Sequence, residues 1–64
     1  MSPIQYLIAY RVEWAKEMLE DTTKSVMEIC FECGFENVSY FIRRFKRVTG
    51  MTPGEWRKEA MKKI

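Results

Sequence analysis

The sequence has no histidine, only two cysteines, two prolines and three glycines, and no apolar stretch approaching the ~18 residues needed to cross a bilayer. Without histidine, and with no nucleophile set beside a base, the chain lacks the makings of a catalytic centre, and no enzyme is expected. The two cysteines form a single C-x-x-C, Cys30-Phe31-Glu32-Cys33. A structural zinc needs four ligands, and no second pair completes such a set. A redox dithiol belongs beside a strand in a βαβ unit, and no strand pattern occurs. Both cysteines are therefore read as packing residues, with a thiol sensor as the alternative, and no metal and no cofactor is expected. The five methionines are scattered and read as core filler or exposed ends. With no signal-peptide pattern either, the expectation is a cytoplasmic chain with no membrane partner.

What is present amounts to one small domain of 64 residues. A chain of this size buries only about 60% of the surface its unfolded form exposes, so its core is marginal. Hydrophobic residues make up 47% and charged residues 31%, a globular rather than a disordered balance. The net charge of +2 conceals an asymmetry. Before residue 43, three basic residues (Arg11, Lys16, Lys24) stand against seven acidic ones (Glu13, Glu17, Glu20, Asp21, Glu28, Glu32, Glu36), a balance of −4. From Arg43 onward, eight basic residues stand against Glu55 and Glu59, a balance of +6. Positive charge gathered in the last third suggests a polyanionic partner, with a solvated basic tail as the plainer alternative.

The few prolines and glycines fall where helices start and stop. Ser2-Pro3-Ile4-Gln5 combines an N-cap hydroxyl, a proline at the first helical position and a glutamine that reaches back to the cap. Ser25-Val26-Met27-Glu28 and Thr52-Pro53-Gly54-Glu55 repeat that capping box, and Asn37 is a fourth N-cap candidate. Gly34 and Gly50 sit where helices would end. The reading is an all-α fold with helices near 3–20, 26–33, 38–49 and 53–62. The short glycine-containing connection between the second and third helices fits a helix-turn-helix unit.

On the third helix, at about 100° per residue, Phe41, Phe45 and Val48 fall on one side and Ser39, Ile42, Arg43 and Lys46 on the other. Arg44 and Arg47 lie on the flanks. The polar, basic side suits insertion in a major groove. The first helix carries an apolar stripe of Ile4, Ile8, Ala15, Met18 and Leu19, with Val12 beside it. Leu7, Tyr10 and Trp14 widen it to about 200°, more than one contact face needs. Arg11, inside that stripe, is expected to lay its stem on apolar surface and pair with a carboxylate.

The run SPIQYLIAYRVEWAKEMLED followed by SVMEICFECGFENVSYFIRRFKRVTGMTPGEWRK resembles the DNA-binding region of AraC-type bacterial transcription regulators. The most specific stretch is GF-x-N-x-SYF-x-R-x-FK-x-x-x-G-x-TP-x-x-WR. That family joins two helix-turn-helix units through a long linker helix. The resemblance implies that this chain is the linker helix (1–21), the second helix-turn-helix (25–50) and a C-terminal helix (52–64), a homeodomain-like, truncated arrangement. It implies that the chain begins where the first unit would just have ended, with Leu7, Tyr10 and Trp14 facing that preceding unit. It also implies sequence-specific binding of double-stranded DNA in transcription regulation, with helix 38–49 in the major groove. Val38, Ser39, Ile42 and Arg43 take the positions that face base edges, Arg43 suited to guanine and Val38 or Ile42 to a thymine methyl. Arg44, Lys46 and Arg47, with the backbone at Ser25, are placed for phosphates. Phe35, Phe41 and Phe45 match the family's core aromatics, and Gly34 its turn.

The alternative is a protein-interaction or dimerisation module that uses the apolar first helix, with self-association of the fragment. An amphipathic last helix lying on an anionic membrane is the weaker option, because Trp56, Ala60, Met61 and Ile64 make only a thin apolar side.

Overall fold

In the computed structural model, which describes residues 2–62, every helix begins where a side-chain oxygen meets an orphan backbone N–H. The Ser2 hydroxyl accepts from the Gln5 N–H at 3.2 Å while the Gln5 side-chain Oε1 accepts from the Ser2 N–H at 3.1 Å, opening α1 (Pro3–Asp21). Ser25 and Glu28 exchange the same pair of bonds, both 3.1 Å, at the start of α2 (Val26–Glu32). Asn37 Oδ1 accepts from the Tyr40 N–H at 2.9 Å and starts α3 (Val38–Thr49). Thr52 and Glu55 close a third capping box, at 2.8 and 3.2 Å, before α4 (Pro53–Met61). Each such cap contributes about 1 kcal/mol, a useful sum in so short a chain. The sequence-based helices are displaced by one residue at three C-terminal ends: α1 runs on to Asp21, while α2 stops at Glu32 and α4 at Met61. Met1, Lys63 and Ile64, the last of which was counted in the thin apolar side of the final helix, lie outside the described residues.

α1 is the spine, and it packs against each of the other three helices. Ile8, Val12, Ala15 and Leu19 form its buried stripe, closed by Ile29 and Cys30 of α2, Cys33 and Phe35 of the following turn, and Phe41 and Phe45 of α3. The rings run in contact from the turn to the last helix: Phe35–Phe41 at 4.9 Å between centroids, Phe41–Phe45 at 5.8 Å and Phe45–Trp56 at 6.0 Å. Truncating Phe41 or Phe45 would cost about 3–5 kcal/mol, comparable with the entire stability expected of a chain this short. The cysteines belong to this core. Both are buried and unpaired, Cys33 Sγ lying 3.8 Å from Met18 Sδ and Cys30 Sγ 4.0 Å from the Phe35 carbonyl. Burial pushes the Cys33 thiol up to about 11, with the Glu32 carboxylate and Cys30 adding to the effect.

Three expectations need correction. Arg11 makes none of the ion pairs among the described residues. Its guanidinium lies 6.0 Å from the Phe35 ring centroid and packs so closely over Gly34 that a Cβ there would sit 3.0 Å from Arg11 Nε. The missing side chain at Gly34, which has φ +92°, leaves the space that the arginine fills instead of seeking an acid. Val48, assigned to the buried side of α3, is 44% exposed, because it lies past the last ring that α1 covers. Ile4 is 66% exposed although it is in register with the buried stripe, since the helix extends beyond its neighbours at that end.

α4 fastens the lower end of the spine. α1 has no basic residue in its last turn, and Arg57 supplies one from α4. Arg57 Nε donates to the Leu19 carbonyl at 3.1 Å and Nη2 to the Thr22 carbonyl at 3.2 Å. Beside it, Trp56 Nε1 donates to Glu20 Oε2 at 2.9 Å, and the Lys16 ammonium sits 4.9 Å from the Trp56 ring centroid. The unpaired carbonyls at a helix C-terminus carry partial negative charge, so a guanidinium is the natural cap there.

Candidate nucleic-acid interface

Burying Phe41 and Phe45 fixes which side of α3 faces out. Ser39, Arg43, Lys46 and Arg47 are exposed, centred on Arg43. Val38 and Ile42 stand at the boundary on one flank, half-buried and packed against the core cluster, so only part of each points outward. Arg44 stands at the boundary on the other flank, half-buried, with its Nε enclosed and without a hydrogen-bond partner. Tyr40, Arg43, Arg44, Lys46 and Arg47 line one shallow, open concavity of about 550 Å³.

The ion pairs among the described residues are Glu13–Lys16, Lys24–Glu32 and Glu59–Lys62, and none of them uses a cation of α3. Four positive charges therefore stand within three turns of helix with no carboxylate bonded to them. α3 also has no acid in its first turn, so its N-terminal dipole is not offset from within the helix. Such a surface attracts a polyanion and presents planar guanidinium forks to it. The Ser25 position differs. Its N–H and hydroxyl are both engaged by Glu28, whose carboxyl is held below its ordinary value by the Ser25 backbone and side-chain bonds. Neighbouring Lys24 is tied to Glu32 at 2.7 Å.

Sequence reasoning omitted Tyr40. It is 37% exposed, and the Arg43 guanidinium stands 5.9 Å from its ring centroid. Its spacing of three from Arg43 and seven from Arg47 puts all three on neighbouring rows of one helix, and that spacing was the available signal.

Residues 1–59 match the family described as Helix-turn-helix domain. The chain belongs to the AraC-type helix-turn-helix family. Over 53 residues, 83% of its length, it is 45% identical to the HTH-type transcriptional activator RhaR of Salmonella heidelberg and equally to that of Salmonella typhi. The RhaR of Salmonella arizonae is 43% identical over the same span. The chain covers 19% of the length of each of these curated relatives. No solved structure matches it at a significant level. The family is one of helix-turn-helix domains of transcription regulators and not one of enzymes. Among the described residues, no helix is long and apolar enough to cross a membrane.

Proposed function

We propose that the chain is the linker helix and second helix-turn-helix unit of a bacterial transcription regulator acting in the cytoplasm, and that it docks α3 in a major groove of double-stranded DNA. The observation that carries this reading is the exposed, unpaired cationic face of α3. Arg43, at its centre, reads a base edge, with Ser39 beside it. Arg44, Lys46 and Arg47 hold phosphates, and a phosphate at the Arg44 guanidinium would offset some of the cost of its enclosed Nε. Val38 and Ile42 offer their outward portions to a thymine methyl. At Ser25 the backbone amides of the following residues, rather than its own N–H, are the groups left for a phosphate.

The test is fluorescence anisotropy of a labelled duplex titrated at several salt concentrations. Three phosphate contacts predict a slope of log K against log salt near −2.7, at about 0.9 for each. Arg47→Ala should reduce that slope by about 0.9. Salt-independent binding, or none at low salt, would overturn the reading.

A second reading has its own support. Leu7, Tyr10 and Trp14 are 42%, 61% and 49% exposed and share one face of α1. We propose that the preceding helix-turn-helix unit of the full regulator covers them, and that the isolated fragment self-associates there. Sedimentation should show oligomers at high concentration, dispersed by Trp14→Ser. A monomer at every concentration tested would argue against self-association.

A further inference from the structure

Arg43 and Tyr40 lie three residues apart on α3, and both are exposed. Side chains of a helix lean toward its N-terminus, so Arg43 reaches back over the row that Tyr40 occupies. The distance from its guanidinium carbon to the Tyr40 ring centroid is 5.9 Å, within the range in which a ring face attracts a cation. The ring leans on Phe35 at 6.3 Å between centroids in a tilted arrangement, and Phe35 is 4% exposed. A ring resting on the core thus lies under the guanidinium. No polar partner of the Tyr40 hydroxyl occurs among the hydrogen bonds of the described residues, so its contacts within the chain are those of the ring.

We propose that Tyr40 is a positioning residue for sequence readout: it holds the Arg43 guanidinium in the orientation in which it meets a base edge. The inference rests on the reading of α3 as the recognition helix. An unsupported arginine explores many rotamers and loses that freedom when it forms two parallel bonds to one base. Holding Arg43 on a shelf removes part of the ordering cost from the specific complex alone. The consequence is selectivity for the preferred site over random DNA, with little change in general affinity. Removing an exposed contact of this kind corresponds to about two- to fivefold in binding.

The experiment begins with selection of the preferred duplex by the unmodified chain. The ratio of affinities for that duplex and for a scrambled one is then measured at a single salt concentration. The proteins are wild type, Tyr40→Phe, Tyr40→Leu, Arg43→Ala and the Tyr40→Leu, Arg43→Ala double variant. Tyr40→Phe keeps the ring and should keep the ratio. Tyr40→Leu keeps bulk without the ring and should lower the ratio about two- to fivefold, while affinity for the scrambled duplex hardly changes. In the Arg43→Ala background Tyr40→Leu should have no further effect.

A wild-type ratio in Tyr40→Leu, with Arg43→Ala impaired, would overturn this inference and leave base reading by Arg43 intact. An equal loss in both backgrounds would also overturn it, because the ring would then act without Arg43. A wild-type ratio in Arg43→Ala would overturn the inference together with the base-reading role. An independent check needs no DNA. The Arg43 δ-methylene protons should show an upfield ring-current shift that survives Tyr40→Phe and disappears in Tyr40→Leu; absence of that shift in wild type would overturn the contact.

Discussion

Gly34→Ala tests whether the turn of the helix-turn-helix and the arginine above it form one device. Gly34 has φ +92°, a conformation that costs an L-residue about 1–2 kcal/mol. The new methyl would also meet Arg11 Nε at 3.0 Å and Cζ at 3.1 Å, so the guanidinium must move and weaken its contact with Phe35, at about 0.5–1 kcal/mol. Against these stands the lower entropy of an unfolded chain with alanine, about 0.4–1 kcal/mol. The net loss is about 1–2 kcal/mol, or about 4–16 °C in Tm for a domain of this size. Gly50→Ala is the internal control, since φ there is +85° but nothing lies within 4 Å of the new methyl. It carries the backbone cost without the steric one and should lose about 0.5–1 kcal/mol less. Urea unfolding followed by circular dichroism would be run on both variants, on Arg11→Ala, and on Gly34→Ala in the Arg11→Ala background. The steric part should vanish in that background. Equal costs at the two glycines, unaltered by Arg11→Ala, would refute the role given to Arg11. No cost at either would refute the backbone argument.

Other outcomes follow from the caps and the core. Arg57→Ala removes two charge-assisted bonds, to the carbonyls of Leu19 in α1 and of its C-cap Thr22, and should cost about 1.5–3 kcal/mol, with amide exchange quickening in the last turn of α1 before α3. Arg57→Lys should restore little, because a point-like ammonium does not reproduce the fork. The Cys33 thiol, pushed by burial from an ordinary 9.0 to about 11, keeps its proton in the folded chain where the unfolded chain gives it up. Stability should therefore decline as pH rises through that window, and Cys33→Ala should flatten the decline in alkaline urea titrations. Native thiols should also react with a disulfide reagent at pH 8 only after urea is added. Glu28 and Glu55 are both held below 4.5 by bonds from their cap residues, the backbone N–H first and then the hydroxyl. Their contribution is complete above 4.5 and is lost as pH falls through the lowered values, so a Glu28→Gln, Glu55→Gln variant should show a shallower acid decline with its caps intact.

The parts of the fold legible in sequence are those decided within one turn of helix. Ser2, Ser25, Asn37 and Thr52 meet their partners three residues away, so composition alone reveals them. Phe41 and Phe45 were legible because a period of 3.6 separates them from Arg43. Features that depend on distant chain were not. Arg57 meets carbonyls 35 and 38 residues earlier, and in sequence it is one more cation of a basic tail. Val48 has the periodicity of a core residue, but its exposure depends on where neighbouring helices stop. Arg11 was expected to seek an acid, and only the space above Gly34 shows why it does not. On the exposed face of α3, the basic residues were evident from charge, whereas Tyr40 was not, because an aromatic at the edge of a face reads equally as core or surface.

The clip formed by Arg57 and Trp56 at the base of α1 has a mechanical consequence. α1 has 19 residues and is about 28 Å long, and its stripe from Ile8 to Leu19 is locked in the core, so it moves with the bundle as one rigid rod. Each degree of tilt of the bundle about the clipped end would move Pro3 by about 0.5 Å. Anything joined ahead of Pro3 would thus have its position set by the packing of the whole rod, with two hydrogen bonds and an indole holding its far end.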